Sequence, residues 1–184
     1  ISSPLEARKA GSRLSPYLAW GNLSLKQVYQ YYKQQLPKQN PSMQKDLRSF
    51  ASRLRWHCHF IQKFESESRI EFENLNPAFN QLDQSFNPDY FEAWKNGQTG
   101  FPLVDACMRC LQETGFINFR MRAMVVSFWC QYLWQPWQQA AEYLASQFLD
   151  FEPGIHFAQM QMQAAVTGIN TIRIYNPIKQ AKEL

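Results

Sequence analysis

The feature that most constrains the fold is a succession of helix start and stop signals, with apolar residues repeating at helical spacing between them. Residues 102–115 show it best, because Pro102 suits the first turn of a helix and Gly115 suits its end. Between these two residues, apolar side chains recur every three or four positions. No run of alternating apolar and polar residues indicates a strand. The sequence therefore predicts an all-α fold.

The same signals predict further helices along the chain. Ser24 can cap a helix that stops at Pro37, and Pro136 opens another. The polar segment 65–89 contains two prolines and is predicted to be a long surface connection. The remaining helices are predicted over residues 42–64, 88–97, 118–134 and 156–166.

Length and composition limit the class of protein. A chain of 184 residues with 45% hydrophobic side chains is enough for one domain with a sizeable core. The longest apolar stretch, residues 123–134, is shorter than the roughly 20 residues that cross a bilayer, so no membrane partner is expected.

The net charge of +4 is compatible with attraction to a polyanion and equally with an ordinary basic domain. The chain opens on Ile1, which suggests a cut inside a longer polypeptide.

The four cysteines do not indicate a disulfide framework. Cys107 and Cys110 form a CxxC pair, but the pair lies inside a predicted amphipathic helix. A zinc or iron–sulfur site would need two more ligands at matching spacing. The sequence therefore predicts core thiols rather than a metal site, and a reducing, cytoplasmic location.

Two local patterns are candidates for ligand chemistry. In residues 11–17, hydroxyl side chains flank Arg13 before a proline-containing turn, which would suit either a phosphate cradle or a helix cap. Further along, Phe119 and Arg122 share one face of a predicted helix, and Asp150 and Glu152 follow a later helix. An arginine and these acids could pair around a polar ligand, or form a structural salt bridge.

Several motifs in order extend this interpretation. GSRLSPYLAWG, TGFPLVDACMRCLQETG, LDFEPG and RIYNPIKQ occur in the order, and near the spacing, of the DNA photolyase and cryptochrome family. The chain resembles the helical FAD-binding domain of that family. The resemblance implies FAD held in a bent conformation, and either electron donation to UV-damaged pyrimidines in DNA or light signalling. Residues 1–184 would be a partial domain, with an upstream α/β domain that carries any antenna chromophore and a final C-terminal segment both absent.

The resemblance also implies roles for individual residues. Arg122 and Asp150 would lie beside the reactive edge of the flavin, with His156 near its N5 atom, and Trp137 would belong to an electron-transfer chain. Trp56 and Met162 would contact DNA, although Trp56 could equally be a core residue. The full set of implied cofactor-binding residues is Ser12, Arg13, Leu14, Ser15, Phe50, Arg53, His57, Phe119, Arg122, Asp150, Glu152 and His156.

Some of these residues differ from the family pattern. His156 replaces an asparagine, and its imidazole is expected to be able to donate a proton near neutral pH. Met160 and Met162 stand where the family commonly has Trp-x-Trp, while Arg53 and His57 replace a glutamate and an arginine. Glu152 and Phe119 also replace the usual residues. These differences predict a divergent branch: a photolyase first, a cryptochrome-like photoreceptor as the alternative, and a domain that no longer holds flavin as the third hypothesis.

Overall fold

The computed structural model describes Glu6 and residues 9–169 and 171–183. Within these residues the regular structure is helical, and they contain no strand, in agreement with the predicted fold class. The helices are α1 (Ser15–Ala19), α2 (Leu25–Gln35), α3 (Pro41–Ser66), α4 (Pro88–Lys95), α5 (Pro102–Thr114), α6 (Phe119–Ser127), α7 (Trp137–Gln147), α8 (Pro153–Ala164) and α9 (Pro177–Glu183).

The helix ends follow local sequence chemistry. Ser24 caps α2 in a reciprocal arrangement with Gln27, as a capping box requires. The side chain of Asn40 caps α3, which begins slightly earlier than predicted because Pro41 occupies its first turn. Gly115 ends α5 with φ at 65°, a left-handed conformation that glycine adopts without steric cost.

The helix predicted over 118–134 is interrupted. Helix α6 stops at Ser127 and is followed by one π-helical turn, Phe128–Tyr132, in which the ring of Phe128 stacks on that of Tyr132 with centroids 5.6 Å apart. A π-turn widens the helix by one residue, and periodicity alone does not reveal it.

Helix α8 is the centre of the packing. It lies against α3, α6 and α7, and at Gly154 its backbone packs directly on α3. A Cβ atom there would be 2.9 Å from the carbonyl oxygen of Phe60, so no larger side chain fits without moving the backbone. The core beside α8 contains Trp94, Met108, Met124, Trp129 and Leu144, all fully buried.

The prediction of a surface connection over residues 65–89 is wrong for its first part. Ile70 and Asn74 are buried, and two short 3₁₀ turns, Ser68–Glu71 and Pro77–Gln81, shape the segment. Two side chains from distant helices hold it in place. Gln161 bonds to its backbone, and Trp137 Nε1 donates a hydrogen bond to Asn74 Oδ1 at 2.7 Å. Tertiary contacts therefore bury a segment whose composition is polar.

The prediction of core thiols holds for two of the four cysteines, whereas Cys58 and Cys110 are half-buried. Cys107 and Cys130 are buried, and burial raises the pKa of the Cys107 thiol to about 12. The part of the chain that the structure describes contains no cluster of side chains able to hold a metal ion. Among the same residues, no helix is both long and apolar enough to cross a membrane.

Candidate functional site

A cavity of about 90 Å³ lies where α6 and α8 meet the loop before α8, and we call it the Arg122 cavity. Its floor is apolar, with contributions from Val126, Leu144 and Phe148. Five residues that the resemblance had implicated line this cavity, although they are distant in sequence: Phe119, Arg122, Asp150, Glu152 and His156.

Arg122 and Asp150 form the ion pair that the sequence suggested. Arg122 Nη2 donates to Asp150 Oδ2 at 2.9 Å, and Arg122 Nε donates to the carbonyl oxygen of Ile117. The guanidinium also lies over the ring of Phe148, 4.0 Å from its centroid. Burial lowers the pKa of Arg122, while the charge of Asp150 opposes that shift. The cavity thus contains a fixed cation with its counter-ion.

His156 differs from its expected behaviour. Burial lowers its pKa to about 4, so the ring is neutral at neutral pH and is not the proton donor that the sequence suggested. Its Nε2 lies 2.8 Å from the carbonyl oxygen of Ala141, which can only accept a hydrogen bond. Nε2 therefore carries the proton, and Nδ1 is the unprotonated nitrogen of a ring that lines the cavity.

The buried imidazole predicts a pH dependence of stability. The unfolded chain binds the proton near pH 6.5 and the folded chain only near pH 4. The neutral His156 ring therefore contributes to the free energy of unfolding above pH 6.5. This contribution, on the order of 3 kcal/mol, is lost as the pH falls to 4. Urea unfolding from pH 7 to pH 4 should show a smaller loss for His156→Asn than for the wild type. His59→Asn, at an exposed ring, is the matched control. If the free energy of unfolding depended on pH equally in the wild type and in His156→Asn, the prediction would be contradicted.

Glu152 connects the cavity with α3. It is the residue before α8, yet its side chain does not cap that helix. Both carboxylate oxygens instead lie 2.9 Å from Nε2 of His57. His57 does not itself line the cavity, but it contacts Glu152, which does.

Two buried oxygen atoms in this cavity indicate that a flavin ring would fit here, because they need hydrogen-bond donors. Asp150 Oδ1 and Gln159 Oε1 are both buried without a hydrogen-bond partner among the described residues, and both residues line the cavity. Such groups are costly unless a ligand or water satisfies them. A fused ring with N–H groups on one edge and an apolar body matches these acceptors and the apolar floor. The cavity is large enough for an edge of the ring system of FAD rather than for the whole cofactor.

The predicted phosphate loop lies beside a second cavity, which we call the Ser12 cavity. It is open, has a volume of about 450 Å³ and is lined by Ser12, Leu14 and Phe50 among others. Arg13 has φ at 51°, a conformation uncommon for a residue with a side chain. Trp20, at the end of α1, donates from Nε1 to the carbonyl oxygen of Leu149 at 2.8 Å. The loop is therefore tied to the segment that carries Asp150.

Trp56 and Met162, the predicted DNA contacts, line a third cavity, the Trp56 pocket, of about 220 Å³. Trp56 is 49% exposed, which excludes the alternative of a core tryptophan. Its ring contacts those of His59 and Phe60, and Lys63 lies at the same pocket. An exposed aromatic ring beside a cation is an arrangement that suits stacking on a nucleobase.

Other predicted residues lie outside these cavities. Arg53 is exposed on α3, and Trp137 is buried with its N–H bonded to Asn74. Neither residue is among those lining the cavities described above, and nor is Ser15. Conversely, Gln159 lines the Arg122 cavity and was not predicted, although its position three residues after His156 puts both on one face of α8.

Comparison with known proteins identifies the family. The family model described as the FAD binding domain of DNA photolyase matches residues 50–184. The deoxyribodipyrimidine photo-lyase of Alkalihalophilus pseudofirmus is 29% identical over 173 residues, which are 93% of this chain and 35% of that protein. The cryptochrome DASH of Synechocystis is 31% identical over 94% of this chain and 35% of its own length.

A solved structure shares the fold. The crystal structure of a bacterial class III photolyase from Agrobacterium tumefaciens superposes with a TM-score of 0.88 at 28% identity, over 96% of this chain and 36% of that one. The chain thus spans about a third of the length of the relatives it matches. FAD is the cofactor named for the matched family, in agreement with the predicted cofactor. The chain belongs to the family of FAD-binding domains of DNA photolyases and cryptochromes.

Proposed function

We propose that this chain is the FAD-binding part of a blue-light-dependent, photolyase-like protein that acts on UV-damaged DNA. The observation that carries the proposal is that α8 separates the Arg122 cavity from the Trp56 pocket. His156, Gln159 and Met160 line the first, while Ala158, Gln161 and Met162 line the second. A helix is about 10 Å across, so a flavin edge and a stacked base would lie within short electron-transfer reach.

The roles proposed for the residues follow from this geometry. Bound FAD would supply the light-driven electron, and the protein would supply position and electrostatics. Arg122 would hold negative charge on the ring, and Asp150 would orient the guanidinium. His156 would accept a hydrogen bond from a ring N–H through Nδ1, and the Ser12 loop would contact the phosphates. Trp56 would stack on an extruded pyrimidine.

Replacing Trp56 with alanine should test the DNA site. Loss of a stacking platform costs about 1–3 kcal/mol per base, so damaged DNA should bind about tenfold more weakly while flavin content stays unchanged. The measurement is fluorescence-anisotropy titration of UV-irradiated oligothymidylate, followed by counting of dimers after blue light. Trp134→Ala removes a similarly exposed tryptophan elsewhere and should leave both results unchanged.

The outcomes separate the candidate functions. Light-dependent loss of dimers or of (6-4) products supports repair. If flavin is bound and lesions persist in the light, the proposal of repair is wrong and the cryptochrome-like photoreceptor is favoured. Three side chains support that alternative. Met160 and Met162 replace a readily oxidised Trp pair, and Arg53 is exposed and stands where a glutamate would hydrogen-bond the pyrimidine. A light-dependent change in oligomeric state or partner binding would test it.

We further propose that the chain is part of a longer, cytoplasmic flavoprotein of a divergent branch. The length of its relatives supports this, as do the differences at His156 and Met160 and the four free thiols. An antenna chromophore, if the protein has one, would bind outside residues 1–184.

A further inference from the structure

The resemblance implied separate cofactor contacts for His57 and Glu152, but it implied no contact between the two side chains. Glu152 lies at the N-terminus of α8, where a carboxylate could accept from backbone N–H groups of the first turn. Its side chain makes no such bond. Both carboxylate oxygens instead face Nε2 of His57 at 2.9 Å. Because an ionised carboxylate only accepts, His57 must donate from Nε2.

The position of this pair is set by backbone packing. Gly154 follows Glu152 by two residues and lies against Phe60, three residues after His57 on α3. At Gly154 there is no room for a Cβ atom, so α3 and α8 are in direct backbone contact next to the pair. The side chains are only 22% and 16% exposed, so water competes weakly for their hydrogen bond. The distance between His57 and Glu152 is therefore fixed by the fold.

The charges around the Arg122 cavity show what the pair does. Among the residues that the structure describes, its wall contains one cation, Arg122, and two carboxylates, Asp150 and Glu152. Asp150 neutralises Arg122 at 2.9 Å, which leaves the charge of Glu152 without a counter-ion inside the cavity wall. FAD carries a negative diphosphate, and its reduced ring gains further negative charge, so an uncompensated carboxylate beside it would weaken binding.

We propose that His57 is a positioning residue of the flavin site, which holds the Glu152 carboxylate against α3 and keeps its charge away from the cofactor. His57 donates the hydrogen bond of the pair through Nε2. The side chain of glutamate is one methylene longer than that of aspartate, which lets the Glu152 carboxylate reach His57. The inference rests on the proposed flavin site. In place of the direct cofactor contact that the resemblance implied for His57, it gives this residue a role through Glu152 rather than by touching the ring.

A double-mutant cycle on purified protein tests the inference. FAD affinity is measured by quenching of flavin fluorescence in the wild type, His57→Ala, Glu152→Gln and the double variant. His57→Ala should weaken FAD about tenfold, the size expected for one hydrogen bond to a charged group. Adding Glu152→Gln should restore the affinity to within about threefold of the wild type, because the unpaired charge is gone. Arg48→Ala, which truncates an exposed side chain elsewhere on α3, should have no effect.

The possible results are distinct. A double variant as weak as His57→Ala, or a His57→Ala variant with unchanged affinity, overturns the role of His57 while leaving the flavin site intact. If the wild type itself does not bind FAD, both the proposed function and this inference fail. If His57→Ala does not fold, His57→Gln retains a donor and should bind FAD within about threefold of the wild type. If the pair were purely structural, His57→Ala would lower the free energy of unfolding, and Glu152→Gln would not restore FAD affinity.

Discussion

Replacing Arg122 with alanine is expected to lower the free energy of unfolding by about 3–5 kcal/mol and to abolish stable retention of FAD. The side chain of Asp150 is only 5% exposed, and Arg122 is its hydrogen-bond partner. The other oxygen of Asp150 is already without a partner among the described residues. Without the guanidinium, a buried carboxylate would remain unpaired, which is more costly than the loss of the pair itself.

The double variant Arg122→Ala/Asp150→Asn separates folding from cofactor binding. The amide removes the buried charge, so much of the lost stability should return, whereas the cation needed beside a reduced flavin is still missing. Urea unfolding followed by tryptophan fluorescence measures the first effect, and the flavin absorbance that remains after gel filtration measures the second. A double variant that keeps its flavin would show that the guanidinium only supports the fold and does not serve the cofactor.

The fold could be predicted from the sequence to the extent that its signals are local. The helix that begins at Leu25 follows from Ser24 and Gln27, and the end of α5 follows from Gly115. The interruption after Ser127 could not be predicted, because a π-turn depends on how Phe128 and its neighbours pack.

The candidate site shows the same limit. The pairing of Arg122 with Asp150 could be suggested from residue type and order, since the two residues have complementary charge. The protonation state of His156 could not, because it depends on burial and on the carbonyl group of Ala141, which belongs to another helix. For the same reason, the sequence did not reveal that His57 meets Glu152, 95 residues away.

Replacing Gln161 with leucine should have the second large effect, about 2–4 kcal/mol of unfolding free energy. Gln161 is 1% exposed and projects from α8 into the turn that the sequence analysis took for a surface connection. Its Nε2 donates to the carbonyl oxygens of Ile70 and Glu73, each at 2.8 Å, and its Oε1 accepts from the N–H of Leu75 at 2.6 Å. Leucine has a similar volume but would leave all three backbone groups unpaired.

The turn held by Gln161 also forms one wall of the Trp56 pocket, through Ile70 and Leu75. Gln161→Leu should therefore weaken binding of damaged DNA, even at temperatures where the variant is folded, and leave FAD affinity near that of the wild type. Gln159→Leu is the matched control on the same helix. Its Oε1 is buried and has no partner within the described part of the chain, so its loss should be neutral or slightly stabilising in the flavin-free protein. Equal destabilisation by the two substitutions would show that glutamine burial on α8, and not the bonding of this turn, determines the stability.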